Sequence, residues 1–404
     1  MKKTLVNPGF ELTNLQRRYL GLGEASPHWE KVPVNKSNII LYFDGDIIRK
    51  MVTCSENVYY ESDLLEHTAE NRTILLPKTK RGKPRKLNFT ATQYFSAKGV
   101  YFSFSEKHIV IANYTTQTTF YEEENSQKLT ILEWLDRWVA DTSEEEYQEI
   151  QEFKTAKRKH QKYAEGDFFT FRIGHRKWGF GRIVLDVAKR RKTEGFKEAN
   201  PGLEHLMGQA LFIMVYRYIS DSPHTDIDKL RKYGTLPVQQ IMDNRIYYGE
   251  YRIIGNHPVE PEEWEPVISL NRSYSFPEED SEDNIVFWQR RKKPHISTYL
   301  QYGLICVKTD NANLEKFLVN GKYSGSPIHS NQAIGFNINH YDKIEIIINE
   351  GIDSDSLLLS NENFKDLRKK ENYEAKAAIF KTLGLDPDKS YAENLRIFET
   401  RKNH

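Results

Sequence analysis

Between Glu165 and Val187 the chain reads EGDFFTFRIGHRKWGFGRIVLDV, and its large apolar side chains recur at every second residue. That period belongs to strands and not to helices. Phe169, Phe171 and Ile173 fall on one face of a first strand, Gly174 to Lys177 supply a turn, and Trp178, Phe180, Arg182 and Val184 share one face of a second. Gly179 and Gly181 therefore fall together on the opposite face. A strand face without side chains leaves room for a ring, a sheet layer or another backbone, and the expected occupant is one of the protein's own aromatics. A phosphate-binding loop needs its glycines to open a helix whose N–H groups face the anion. These glycines instead lead into RIVLDV, which is β-branched, and no P-loop lysine with its Ser or Thr follows.

A chain of 404 residues exceeds what one core usually organises, so the sequence predicts an α+β protein of antiparallel β-rich modules with peripheral helices, in two to three domains. Aromatics at 12%, with 23 Tyr and 21 Phe, favour packed strands over a disordered chain. In residues 1–162, SNIILYF and IIRKMVTC read as a hairpin about Asp44-Gly45-Asp46, GVYFSFSEKHIVIANY as another, and KTKRGKPRK as a basic loop between them. Ile131, Trp134, Leu135, Trp138 and Val139 mark a helical face behind Thr130 as cap. Ser143 and Glu146 form a capping-box pattern for a further helix, whose thin stripe of Tyr147, Ile150 and Phe153 predicts a surface helix bridging two domains. Residues 163–294 read as a β-rich module containing the glycine hairpin, the buried strand QALFIMVYRYI, a short helix capped by Asp221 or Ser222, strand-like runs in DNRIYYGEYRIIGNHP, and a charge-segregated loop, PEEDSEDN to QRRKKP. Residues 295–404 read as strands (STYLQYGLICVKT, YDKIEIIINEG) followed by helices, packed on the middle module, with Gly384 ending one helix and Ser390 opening the last.

The segments EGDFFTFRIGHRKWGFGRIVLDV, LMGQALFIMVYRYI and MDNRIYYGEYRIIGNHP resemble the immunity protein 26 family of bacterial polymorphic toxin systems, in which a GD.F.....G..GFGRI hairpin is followed by further strands. The resemblance covers about residues 163–270 and rests on Gly166, Asp167, Gly179, Phe180 and Gly181. It implies a mostly β module that binds and neutralises a cognate protein toxin made by the same cell. On that reading the partner-binding surface lies at His175, Arg176, Lys177 and Trp178, with Asp243, Asn244, Arg245, Tyr247 and Tyr248. Exposed Tyr, Trp and Arg are the residue types that anchor interfaces.

No G-x-S-x-G, H-E-x-x-H or C-x-x-C motif is present, so no catalytic, metal or cofactor residue is assigned, and a hydrolase or nuclease without a linear motif stays open. His224, Asp226 and Asp228 bring a histidine and two carboxylates together, but at a helix start these aspartates read as caps. His340 and Asp342 read as loop residues. The two cysteines, Cys54 and Cys306, read as buried thiols in strands. Lys and Arg (58) nearly cancel Asp and Glu (57), so the global field selects no nucleic acid. The basic stretches KTKRGKPRK, KRKHQK, AKRRKTEGFK and QRRKKP keep a nucleic-acid-binding or nucleic-acid-modifying defence protein as the alternative. The start has no apolar run of signal-peptide length, which points to a cytoplasmic protein without membrane contact.

Overall fold

A computed structural model of the protein describes residues 10–34, 37–55, 58–77, 79, 81–125, 127–194, 208–236, 238–264, 268–275, 295–309 and 370–402. The chain is α+β and divides into two compact units, Met1–Gln161 with Tyr247–Glu250, and Lys162–Ile246 with Tyr251–His404. The YDKIEIIINEG strand, His340, Asp342 and the charged loop 277–294 lie outside the described residues.

In the first unit nine antiparallel strands form one sheet, mostly a meander: β1 (Glu30–Pro33), β2 (Ile39–Asp44), β3 (Ile47–Ser55), β4 (Val58–Ala69), β5 (Ile74–Leu76), β6 (Arg85–Lys86), β7 (Lys98–Ser105), β8 (His108–Asn113) and β9 (Thr118–Glu124). Both expected hairpins form, and Gly45 turns the first at φ +60°. Alternation turns Val52, Cys54, Tyr59, Val100, Phe102, Phe104, Ile109 and Ile111 to one face, where the helix Ile131–Asp141 presses Trp134, Leu135 and Trp138 against them. Phe102 stacks on Trp134 at 5.5 Å, and Trp138 Nε1 donates to the Tyr19 carbonyl at 2.8 Å. Thr130 and Glu133 close a reciprocal capping box on that helix. The free thiol of Cys54 is buried here.

The helix Glu144–Thr155 differs from expectation in two ways. Ser143 accepts from the Glu146 N–H, but the Glu146 side chain is itself buried instead of completing a capping box. The helix is also a member of the first unit, with Ile150 in its core, and not a connector between domains. It stops at Thr155, where Asn113 Nδ2 donates to the Phe153 carbonyl at 2.9 Å.

The same inward face carries an ionic cluster. Glu61 Oε1 accepts from Lys50 Nζ (2.7 Å) and Arg17 Nε (2.8 Å), and Glu61 Oε2 from Tyr59 Oη (2.5 Å). Lys50 also reaches Asp63 Oδ1 (2.5 Å) and the Gly23 carbonyl (2.9 Å), while Asp63 Oδ2 accepts the Gly23 N–H. Burial works to raise the Glu61 carboxyl, but Lys50 and Arg17 outweigh it and hold it below the usual carboxylate range. The cluster thus ties residues 17–23 to β3 and β4.

In the second unit, five antiparallel strands pair in the order β13 (Gln239–Met242), β12 (Ala210–Ser220), β11 (Lys177–Asp186), β10 (Asp167–Ile173) and β14 (Arg252–Asn256). Both faces of this sheet are covered. Phe169, Phe171, Ile183, Ile213 and Val215 pack on one side with Leu236, Ile246 and Tyr251. Phe168, Trp178, Phe180 and Tyr216 pack on the other with Leu230, and farther along it Phe212 and Met214 share a core with Tyr302, Ile379, Phe380 and Tyr391. The last four come from a three-stranded sheet of β15 (Ile268–Ser275), β16 (His295–Tyr302) and β17 (Ile305–Thr309), and from the helices Tyr373–Leu383 and Tyr391–Lys402. Cys306 is on β17. Gly384 ends the first helix at φ +67°, and Ser390 with Glu393 opens the second.

Two local expectations fail. The helix in SPHTDIDKLRKYG is shorter, Ile227–Leu230, and Asp226 caps it by accepting the Asp228 N–H at 2.9 Å. The run Asn244–Tyr247 is a helical turn and not a strand, because Ile246 drops from it into the sheet core.

Candidate functional site

The glycine hairpin is the centre of the second unit's sheet, and its register explains its glycines. Phe171 lies opposite Gly179 and Phe169 opposite Gly181. A methyl built on Gly179 would come within 2.7 Å of Phe171 Cε2, and one on Gly181 within 2.7 Å of Phe169 Cε2 and 2.9 Å of the Met214 carbonyl oxygen. Both glycines exist so that these rings can lie flat across the neighbouring strand. Tyr251 then stacks on Phe169 at 5.5 Å, sealing the layer. Gly181→Ala is expected to cost about 2–3 kcal/mol, and Gly179→Ala about 1–2, because backbone closes the first site while only side chains close the second. Denaturant unfolding of the two variants checks the order.

Gly166 and Asp167 open the hairpin for equally structural reasons. Gly166 takes φ +87°, and its N–H and carbonyl bond to Ile183 O (2.8 Å) and His257 N (3.1 Å). Asp167 accepts from Ala164 N (2.6 Å) and Asn256 Nδ2 (2.7 Å), tying the start of β10 to the end of β14.

Arg182, on the Trp178 face of β11, is fully buried. Its guanidinium sits 4.6 Å from the Phe168 ring centroid, with Nη1 on Glu263 Oε1 (2.6 Å) and Nη2 on the carbonyls of His257 (2.5 Å) and Pro258 (2.7 Å). Arg231 meets Glu263 Oε1 at 3.0 Å and His257 Nε2 at 2.9 Å. Burial works to raise the Glu263 carboxyl, but the Glu260 N–H and the guanidinium groups of Arg182 and Arg231 hold it below the ordinary carboxylate range. Tyr216 beside them is pushed up to about 12 by burial. Sequence reasoning placed Arg182 on this face but missed Arg231, His257 and Glu263, whose meeting depends on the return of residues 256–263.

The nine residues expected at a partner surface divide into separate places. Arg176 is exposed at the hairpin turn, with His175 and Lys177 half-buried beside it. Trp178, expected as an exposed anchor, is 5% exposed and packs in the core, with Arg172 4.7 Å and Arg252 5.7 Å from its ring centroid. The face that aligns it with Phe180 is a covered face. Asp243 is buried too: its Oδ2 accepts from Tyr163 Oη at 2.8 Å, and burial, opposed by that bond, raises its carboxyl. Asn244 is exposed, and Arg245 lies half-buried over Tyr251 at 5.9 Å. Trp178 pairs with Ser220 while Asp186 pairs with Leu211, next to the Ala210 and Met242 pair. The turn and Asp243 therefore sit at opposite ends of the sheet, about 25 Å apart at roughly 3.3 Å per residue. Tyr247 and Tyr248 belong to the first unit, where His160 stacks on Tyr247 at 4.5 Å.

Among the described residues no group of three His, Cys, Asp or Glu side chains is placed to hold a metal ion, and no helix is long and apolar enough to cross a membrane. The Asp226 cap accounts for one carboxylate of the His224 to Asp228 run.

No curated protein and no solved structure matches the chain. A family model does match, over well under half of the chain but over the glycine hairpin, its whole sheet and β15. Residues 164–275 are similar to the family described as Immunity protein 26.

Proposed function

We propose that the second unit is an immunity module that binds a cognate protein toxin and neutralises it by occlusion, without catalysis. The match of residues 164–275 to Immunity protein 26 carries this reading. The structure supports a division of labour within the match. Gly166, Asp167, Gly179, Phe180, Gly181 and Arg182 all have packing or hydrogen-bonding work inside the module. They form a scaffold, and recognition falls to what the scaffold presents, as is usual for turns on rigid sheets. The presented group is the turn, His175, Arg176 and Lys177, with Arg172 and Arg252 close behind it on Trp178. This cationic tip suits an acidic toxin surface. Asn244 and Arg245 at the far end, and Tyr247 and Tyr248, are second candidates for contacts.

The test is Arg176→Glu in the full chain, assayed by binding to toxin domains encoded beside the gene and by protection of cells expressing them. Binding is expected to weaken at least about tenfold, through a slower on-rate and a lost contact, with the unfolding transition unchanged. Unchanged binding and protection would move the surface away from the turn. Trp178→Ala cannot serve as a surface probe, because truncating a buried Trp costs about 3–5 kcal/mol of stability.

A further inference from the structure

The face of the first unit's sheet opposite Tyr59 and Phe102 carries, at β4 and β7, a half-exposed tyrosine cluster that toxin neutralisation by the second unit leaves unused. Register puts Tyr60 and Ser62 on β4 with Tyr101 and Ser103 on β7, on the face opposite Tyr59 and Phe102. The rings of Tyr101 and Tyr114 are 4.5 Å apart, those of Tyr60 and Tyr101 5.9 Å, and the hydroxyls of Tyr60 and Tyr114 meet at 3.1 Å. Tyr114 remains 44% exposed. Cross-strand aromatic pairs stabilise a sheet by themselves, so the tyrosines alone do not indicate a ligand.

The second observation is where the KRKHQK run goes. After the helix Glu144–Thr155 it belongs to no helix or strand, and Lys157, Arg158, Lys159 and His160 are all exposed. Arg158 Nε donates to the carbonyl of Thr115, next to Tyr114, at 3.2 Å, and its guanidinium lies 5.6 Å from the Tyr248 ring centroid. Aromatic faces and the Arg158 cation are thus fixed side by side, with Lys157 and Lys159 exposed on either side of it in sequence. Two carboxylates lie near Tyr101, Glu250, which accepts from the Thr119 N–H at 2.7 Å, and Glu122, 3.1 Å from His108, so the cationic side of the cluster is the Arg158 side.

We propose that this face binds single-stranded nucleic acid, with bases stacking on Tyr114 and its neighbours and Lys157, Arg158 and Lys159 contacting phosphates. Stacking platforms beside a cationic track are how proteins hold single strands without reading sequence. Three adjacent cations with no acid among them complement a polyanion better than the mixed charges of a protein surface. Duplex bases are already stacked and paired, so a duplex gains only the phosphate contacts.

The experiment is fluorescence anisotropy of the full chain with labelled oligo(dT) and oligo(U) of about 15 nucleotides, and with a duplex of equal length. Three phosphate contacts predict binding about twentyfold weaker when salt rises from about 50 to 200 mM. Tyr114→Ala is expected to weaken single-strand binding about tenfold, while Tyr114→Phe, which loses the hydroxyl contact but keeps the ring, leaves it unchanged. Lys157→Glu with Lys159→Glu should reduce the salt dependence. No binding at low salt, equal affinity for duplex, or single-strand binding indifferent to both Tyr114→Ala and the lysine pair would each overturn the proposal. No toxin enters the assay, so the outcome is separate from the fate of the immunity reading.

Discussion

Arg182→Ala is expected to lower the unfolding free energy by about 3–5 kcal/mol, the range for breaking a buried charge cluster from one side. The substitution leaves the carbonyls of His257 and Pro258 without the donor that now serves both, and opens a cavity beside Phe168 and Phe180. Arg182→Lys should recover only part of the loss. An ammonium lacks the planar fork that spans Glu263 and two carbonyls at once. Glu263→Gln is expected to cost less, about 1–2 kcal/mol, since Glu263 is part-exposed and Gln still accepts a hydrogen bond. Urea unfolding of the three variants gives the order. The Glu263 carboxyl is depressed in the folded state, so its contribution is complete above the unfolded value near pH 4.3 and is lost as pH falls through the lower folded value. Glu263→Gln should therefore flatten the stability curve in that acid window and leave its slope at neutral pH untouched.

The consequence for function lies in residues 256–263. Arg182 holds this return segment against β11, and without it the segment after β14 keeps only the bonds of His257 to Gly166 and of Arg231 to Glu263 and His257, while the hairpin turn keeps its own bond from Arg172 Nη1 to the His175 carbonyl. If the turn is the toxin contact, an Arg182 variant still folded at low temperature should bind toxin near normally. Loss of binding in proportion to unfolding, and no more, is the expected pattern.

How far the sequence could be read depended on whether its signal was local. Two-residue alternation was enough to place Phe169, Phe171 and the paired glycines, because facing within a hairpin follows from its turn. The same alternation misled at Trp178. It assigns a face, but what covers that face, here Leu230 with Tyr216 beside it, comes from elsewhere in the chain. The joint surface of the turn and Asp243 failed for a related reason, since the path through β12 and β13 sends the two to opposite ends of the sheet. The run RIYYGEY looked strand-like from its side chains, yet one helical turn buries Ile246 and frees the chain to return as β14. The ionic cluster of the first unit did leave a trace. Lys50 precedes Val52 and Cys54 on one alternating face, and Glu61 holds the inward position next to Tyr59's on the adjacent strand. Opposite charges at core-facing positions of neighbouring strands are a readable sign of a buried pair, and only the third member, Arg17, was beyond local reasoning.

That cluster carries the other large effect. Glu61→Met is expected to cost about 3–5 kcal/mol, because it leaves Lys50 and Arg17 buried around the vacated acceptor. Lys50→Met should cost a similar amount, stranding Glu61 and removing the link from Asp63 to the Gly23 carbonyl. The double variant should be less damaging than the sum of the two, with a coupling of about 1–3 kcal/mol, since an apolar pair replaces an ion pair within the same packed face. A double variant as unstable as the sum would mean that each side chain acts through its other partners, Arg17 and Asp63, and not through the pair. Acid titration adds an independent sign. Glu61 is depressed in the folded state, so the wild-type chain should lose this contribution as pH falls from about 5 toward the lower folded value, while Glu61→Gln should show no corresponding loss. Because the cluster fastens residues 17–23 to β3 and β4, hydrogen exchange in Glu61→Met should rise first at Leu20 to Gly23, ahead of the β7 and β8 strands.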